Sequence, residues 1–561
     1  MLHKPTLLAI GYIAQKSSRG MEMNKGTNDQ PTYDYIVVGT GPAGAAVARK
    51  LTDDHQNSML VLEAGDNNSK EQPIRDSLFA PPFILTDDFF PQYFWQGKSV
   101  PQKNVKNRTF DWTGGRTLGG GSSINNNQYV RPSQVNMKRW ENLLGPLWSP
   151  EQETYQFSKL ETYNGQTQNP NARGYNGQLA IRQAPANPTS MTEKLVTAME
   201  RATGFTRILD YNDPNTPLGP FTRWQLYQTP YGQRESADTA FLSPDVMNGN
   251  GEGVNGRRLL VSYNSTVQRV IFDNEKRAIG VEFLKDGNCY YAYARKKIII
   301  SAGMNSPQLL MLSGIGPADI LDKAGIPVVH HNANVGKNMT THPVNTAMFT
   351  TNTTDKALPE ADPFALYTGG AFLPDPTPGA DPNRRGVQLI GQIGTGGMLS
   401  IVLILLEPKS QGTVRIQNAD PLKIVLADVE FLNNQSDLET IKNVYKVYIK
   451  NIVQELSKID SHYQLVTPTL ETIQDDSKLE AFIKENLGPT HHIQGTLRMA
   501  PNEESGVVNA TGEVFGVKDL IVADDSIAPF VSDGNTSAPA FFIGANIADQ
   551  LVKQDEGNAY R

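Results

Sequence analysis

A chain of 561 residues is long enough for two or more domains around a large buried core. With 39% hydrophobic and 19% charged residues, it has the composition of a globular protein rather than a disordered one. A net charge of −7 without a Lys/Arg-rich run argues against nucleic acid as the main ligand. The single cysteine, Cys289, excludes an intrachain disulfide and a cysteine-rich metal centre, and no metal is expected.

In chain order, residues 1–31 read as a disordered leader. Lys4 followed by apolar residues 7–10 makes a short secretory pattern with no Ala-x-Ala site, so a cytoplasmic location is favoured over a secreted or periplasmic one. Residues 33–38 form an apolar, β-branched run, read as a buried strand. A glycine turn follows at 39–44, then a helix with small residues on one face over 45–51, then a second strand at 59–62. Residues 154–230 are rich in Asn, Gln, Pro and Gly, with one helix over 192–203. Residues 259–283 alternate as strands do, and 297–301 reads as a buried strand, with Cys289 upstream of it as a half-buried strand residue. Residues 346–385 read as a Pro/Gly/Asp-rich loop and 400–432 as sheet. Amphipathic helices are expected over 438–456 and 478–487, and a last helix opened by residues 536–539, with its apolar face over 540–551. The longest apolar run, 401–406, is far shorter than the about twenty residues of a membrane span, so none is expected.

Two strands flanking Gly39-x-Gly41-x-x-Gly44 complete a βαβ unit of the kind that binds dinucleotides. Gly39 permits the tight turn, Gly41 lets backbone approach a pyrophosphate, and Gly44 lets the helix pack on the strand. The helix N-terminus then faces the phosphates with partial positive charge. Glu63, at the end of the second strand, suits a ribose diol and disfavours a 2′-phosphate. A second glycine cluster, residues 114–121, runs into Ile124, Asn125, Asn126, Asn127 and Gln128. Glycines this dense allow close backbone approach, and the apolar residue followed by amides suits a flat ring with polar edges.

Residues 115–132 resemble the first characteristic motif of the glucose–methanol–choline (GMC) flavin oxidoreductases, and residues 306–316 resemble the second. His492-Ile493-Gln494-Gly495-Thr496 and Asp524-Asp525-Ser526-Ile527 resemble the C-terminal region of that family. Supporting blocks at 235–238, 335–339 and 408–412 stand in family order, so the likeness runs from about residue 33 to residue 553. The resemblance implies an α/β (α+β overall) fold: a Rossmann-like FAD-binding domain, residues 32–153, 231–345 and 492–555, interleaved with a substrate domain, residues 154–230 and 346–491, built on a large, mostly antiparallel sheet. It implies FAD, with its adenosine end at Glu63, its adenine near Val267, its ribityl-pyrophosphate near Asp524 and Asp525, and its ring near Gly121 and Asn125 to Gln128. The full cofactor-facing set is Gly39, Thr40, Gly41, Pro42, Ala43, Gly44, Glu63, Ala64, Thr117, Gly119, Gly121, Asn125, Asn126, Gln128, Val267, Asp524, Asp525 and Thr536. Some relatives bond the flavin to a His just before the motif's Asn. Ile124 stands there in this chain, so attachment through this motif is not expected. Three departures from the family are residues 302–307, one residue shorter than the usual spacing before Ser-Pro, Thr341, where an Asp usually precedes a His, and Asp525, at a place usually small.

By the same likeness, His492 and Asn535 form the catalytic pair, and the reaction is oxidation of a small-molecule alcohol by hydride transfer to flavin N5, with oxygen or a quinone as acceptor. The chemistry suits the residues. A hydride leaves a carbinol carbon readily only while the hydroxyl proton is being removed, and a neutral imidazole is a fitting base near pH 7. Asn535 can donate to the developing alkoxide, and the helix opening at Thr536 can stabilise negative charge on the reduced ring. His491 is expected to point away from His492, as neighbours on an extended segment do. Alternatives on the same fold are a hydroxynitrile-lyase-type enzyme with no redox step, against which Asn535 counts, and a non-catalytic protein, against which the intact motifs count.

Overall fold

The computed structural model describes residues 31–68, 71–75, 90–183, 189–215, 217–356, 367–393 and 398–559. The expected leader, residues 1–31, lies outside them save for Pro31. The fold is α/β and rests on two large sheets.

The first sheet has seven strands, centred on Thr32–Val38. That strand pairs in parallel with Met59–Leu62 on one side and with Asn288–Ile300 on the other. Leu259–Ser262 extends the sheet in parallel beyond Met59–Leu62, and Leu520–Val522 adds in parallel to the end of Asn288–Ile300. Ser265–Phe272 and Ala278–Lys285 complete it as antiparallel strands. The central strands are apolar at successive positions because both their faces are covered; Ile36, Val37, Leu60 and Val61 are all fully buried. Cys289 stands half-buried in this sheet, its thiol pushed up to about 11 by burial and by the carboxylate of Glu282.

Gly41 caps the helix Pro42–Thr52, with Pro42 in its first turn. Its small residues admit the closing helix Ser537–Ala559, which crosses so near that a Cβ on Gly544 would lie 2.5 Å from Ala43 Cα. The contact brings the end of the chain back to the glycine turn at its beginning.

The second sheet also has seven strands, all antiparallel. Its path runs Leu465–Thr467, Pro343–Phe349, Leu399–Leu405, Val387–Ile393, Gly370–Leu373 and Gly219–Phe221, with Gly488–Pro489 paired to Pro343–Phe349. Side chains alternate between its faces. Ala347, Phe349, Leu373, Val387, Leu389, Ile401 and Leu403 share a core with the helices Ser190–Thr203 and Lys450–Ile459. Phe372, Gln388, Ile390 and Ile404 lie on the other face, which closes over Val130 and Leu226.

Three expectations need correction. Residues 346–385 are not all loop, because the strands Pro343–Phe349 and Gly370–Leu373 lie within or across that span. Their polar and glycine positions hid them; Asn345, for example, is buried because Tyr445 Oη donates to its side chain. Residues 154–230 hold more than one helix. Pro150–Leu160 is helical, capped by Ser149, and Glu161–Asn164, Leu179–Gln183 and Gln225–Tyr227 form a three-stranded sheet. Finally, the helix expected over 438–456 is interrupted by a π-helical stretch, Val444–Ile449.

Among the described residues no helix is long and apolar enough to cross a membrane. Nor does any group of three or more His, Cys, Asp or Glu among them have the geometry to hold a metal.

Candidate active site

The glycine turn is built tightly on one side and open on the other. Gly39 has a φ of +100°, and a Cβ there would lie 2.4 Å from Ser301 O. A Cβ on Gly44 would lie 2.2 Å from Gly39 O, so the helix sits directly on the turn. At Gly41 and at Gly121 an added Cβ would meet no described atom within 4 Å. The second glycine cluster folds against the first, since Gly120, at φ +55°, would place its Cβ 2.9 Å from Gly41 Cα. Gly119 N donates to Thr40 Oγ1 at 3.2 Å, and the buried Thr117 accepts from Asn68 Nδ2 at 3.0 Å.

Glu63 is buried and accepts from Thr40 N at 3.0 Å and Gly65 N at 2.8 Å. Burial pushes its carboxyl up, against the pull of these donors. Ser265 N donates to the Glu63 carbonyl at 2.7 Å, which brings the half-buried Val267 and Ala64 to the same end of the cradle. Asp524 accepts from Gly303 N at 2.9 Å, Ser306 Oγ at 2.6 Å and Ser526 N at 2.8 Å, so its carboxylate clamps the turn after Asn288–Ile300. Asp525 is half-buried, and its Oδ1 has no partner among the described residues; neither have Tyr227 Oη and Thr496 Oγ1. Open space at Gly41 and Gly121, the buried carboxylate of Glu63 and the unpartnered polar atoms of Tyr227, Thr496 and Asp525 fit an extended dinucleotide such as FAD.

The amides after the second cluster are oriented by a residue that sequence reasoning missed. Arg234 is fully buried and donates to Ile74 O, Ser122 O and, at 2.9 Å, Asn125 Oδ1. Burial lowers its pKa to about 9. With its oxygen so held, Asn125 turns Nδ2 to Ser537 Oγ at 2.8 Å, in the first turn of the closing helix. Asn126 is exposed, and its carbonyl accepts from Tyr367 Oη at 2.9 Å.

His492 follows a left-handed residue rather than an extended one: His491 has a φ of 61° and is exposed. The two rings are therefore separated by a turn, not by the alternation of a strand. Hydrogen bonds between Thr340 and Gln494, and from Thr490 to His342 O, pin this turn against residues 340–342. His492 is half-buried and faces Asn535, with Asn535 Nδ2 3.4 Å from His492 Nε2. Asn535 stands just ahead of Thr536 and the closing helix, held there because Gly534 packs on Val130, where a Cβ would lie 2.3 Å from its Cγ1.

Behind His492 lies His342, a second residue that sequence reasoning missed. It is fully buried, with Nε2 2.8 Å from Ser532 O and Nδ1 2.9 Å from His492 Nδ1. A carbonyl can only accept, so His342 Nε2 carries the proton and donates, which leaves His342 Nδ1 as an acceptor in the neutral ring. His492 Nδ1 must then be the donor, and its Nε2 is the bare nitrogen that faces Asn535. Burial holds His342 down to about 4, and burial together with the two neighbouring histidines holds His492 well below the ordinary imidazole value. Both rings are neutral at pH 7. The block holding Thr341 pointed at this place, but His342 lies 150 positions from His492, and only the fold joins them.

Comparisons with known proteins agree along the whole length. Residues 33–344 match the N-terminal and 408–544 the C-terminal model of the GMC oxidoreductases. The chain is 28% identical to human mitochondrial choline dehydrogenase, over 99% of this chain and 96% of that one. It is also 28% identical to an alcohol dehydrogenase [acceptor] of Pseudomonas putida, over 93% and 96%. An FAD-dependent oxidoreductase from Chaetomium thermophilum shares its fold, with a TM-score of 0.80 at 24% identity over 93% of this chain and 100% of that one. The chain belongs to the GMC oxidoreductase family and is an FAD-dependent oxidoreductase.

Proposed function

We propose that this enzyme oxidises a small-molecule alcohol to an aldehyde or ketone, with His492 as base and Asn535 as the donor that holds the alcohol oxygen. The observation that carries the reading is the tautomer relay from Ser532 O through His342, which leaves His492 Nε2 unprotonated beside Asn535 Nδ2. An alcohol oxygen placed between these two atoms gives its proton to Nε2 as the adjacent carbon loses hydride, and Nδ2 donates to the forming alkoxide. FAD, when bound, supplies the hydride acceptor. The first turn of the closing helix lies beside Asn535 and favours negative charge in front of it. Glu63, the Gly39–Gly44 turn, the amides from Asn125 to Gln128, and Thr536 would hold the cofactor, without a covalent bond at Ile124. The names of the relatives, choline dehydrogenase and alcohol dehydrogenase [acceptor], support an alcohol as substrate. Oxygen or a quinone then takes the electrons. On this reading the FAD domain comprises residues 32–153, 231–345 and 492–555, and the substrate domain 154–230 and 346–491.

An anaerobic screen of primary and secondary alcohols, choline included, tests the reading by following the absorbance band of the oxidised flavin. At least one alcohol should bleach the bound flavin, and the matching carbonyl product should accumulate in equal amount. A flavin that stays oxidised while substrate is consumed would mean a lyase instead.

A further inference from the structure

Gln388 belongs to the strand Val387–Ile393 of the second sheet, far in sequence from either glycine motif. It is fully buried. Alternation places it on the sheet face that looks toward the site, directly opposite Phe372 on one neighbouring strand and Ile404 on the other. Both of those side chains are apolar, so the sheet supplies no polar partner for the amide on that face. Its Nε2 instead leaves the sheet and donates to Asn535 Oδ1 at 3.2 Å, while its Oε1 has no partner among the described residues. A buried, half-satisfied amide is costly, which sets a packing role alone against an apolar residue of the same size.

We propose that Gln388 is a positioning residue that fixes which way the Asn535 amide faces. The proposal rests on the reading of Asn535 as alkoxide donor. An Asn side chain has two nearly isosteric orientations, and here only one is useful. With Oδ1 occupied by Gln388, Nδ2 faces Gln128 Oε1 at 2.8 Å and His492 Nε2 at 3.4 Å. Flipped, Asn535 would set its oxygen against the bare nitrogen of His492 and offer the alcohol oxygen an acceptor instead of a donor. Gln128 accepts from Nδ2 but can turn its own amide to follow a flip. Gln388 can turn its amide too, but the bare Nε2 of His492 favours Nδ2 on its own side, and Gln388 alone among the described residues then donates to the Oδ1 left facing away.

The substitution Gln388→Glu separates positioning from packing. When protonated, the introduced carboxyl donates to Asn535 as the native amide does; when ionised, it can only accept, and Asn535 must flip. The FAD-loaded wild type, Gln388→Met, Gln388→Glu, Asn535→Ala and the double variant Gln388→Met/Asn535→Ala are compared by anaerobic stopped-flow flavin reduction with an alcohol found in the screen. FAD content and melting temperature are measured alongside. Gln388→Met should reduce about tenfold to a hundredfold more slowly than wild type, the range expected when one oriented donor is disturbed. The double variant should be no slower than Asn535→Ala alone. Gln388→Glu should approach the wild-type rate at low pH and lose it as pH rises, over an interval where the wild type is flat. If Gln388→Met fails to fold, the pH profile of Gln388→Glu carries the test alone. A wild-type rate in Gln388→Met, a pH-independent Gln388→Glu, or additive losses in the double variant would overturn the proposal. A wild-type rate in Asn535→Ala would instead sink the reading on which it rests.

Discussion

At the scale of single residues, the unprotonated nitrogen of His492 is selected by a carbonyl that never touches it. Ser532 O fixes His342, and His342 fixes His492. Because His492 sits well below the ordinary imidazole value, its proton-accepting form persists as pH falls through about 6.5, the ordinary value. With His492 as the proposed base, protonation removes the proton acceptor, so flavin reduction should stay level as pH falls from about 8 to about 6.5 and decline only in more acid solution. Replacing His342 by Phe should slow reduction by about tenfold or more, since the tautomer of His492 is then free to choose. A wild-type profile that halves near the ordinary imidazole value would show a solvated ring and contradict the relay. His492 and Asn535 could be named from the sequence because short motifs surround each of them. His342, Arg234 and Gln388 could not be named, for a physical reason. Each acts through a partner far away in the chain, at 150, 109 and 147 positions respectively, and no local pattern records such a pairing.

Among the elements, the βαβ unit was legible because its signals are local: a run of β-branched residues, a glycine spacing and a terminal acid. Its glycines make separable predictions. A Cβ at Gly44 strikes the backbone of Gly39, so Gly44→Ala should cost about 1–3 kcal/mol of stability, the usual range for overpacking. A Cβ at Gly41 meets no atom of the described residues within 4 Å, so Gly41→Ala should leave the melting temperature of the FAD-free protein unchanged and yet weaken FAD binding. Thermal melts of both variants with and without FAD decide the matter; an apo protein destabilised equally by both would deny the open face of the turn. The second sheet was poorly legible. Its strands carry Asn345, Gln388 and Gly370 at inward or central positions, and residues of that kind read as loop until the partners that satisfy them are known. The turn at His491 was also misread, because a left-handed histidine leaves no mark in the sequence.

For the whole molecule, the two sheets meet where Gln388 of one reaches Asn535, which is followed by the helix that packs on the glycine turn of the other. The site is thus assembled from residues 39–63, 117–128, 342, 388, 492 and 535, and it exists only in the complete fold. Nothing in it calls for a bond to the cofactor at Ile124, so acid precipitation should release the flavin into the supernatant; flavin that stays with the pellet would reveal an attachment point elsewhere. The central claim is that His492, and not its neighbour, takes the alcohol proton. It is tested most directly by anaerobic flavin reduction in three FAD-loaded variants, with the wild type as reference. His492→Ala should retain FAD and reduce about a hundredfold or more slowly, Asn535→Ala should lose less, and His491→Ala should match the wild type. A slow His491→Ala beside a fast His492→Ala, or wild-type rates in all three, would contradict the account.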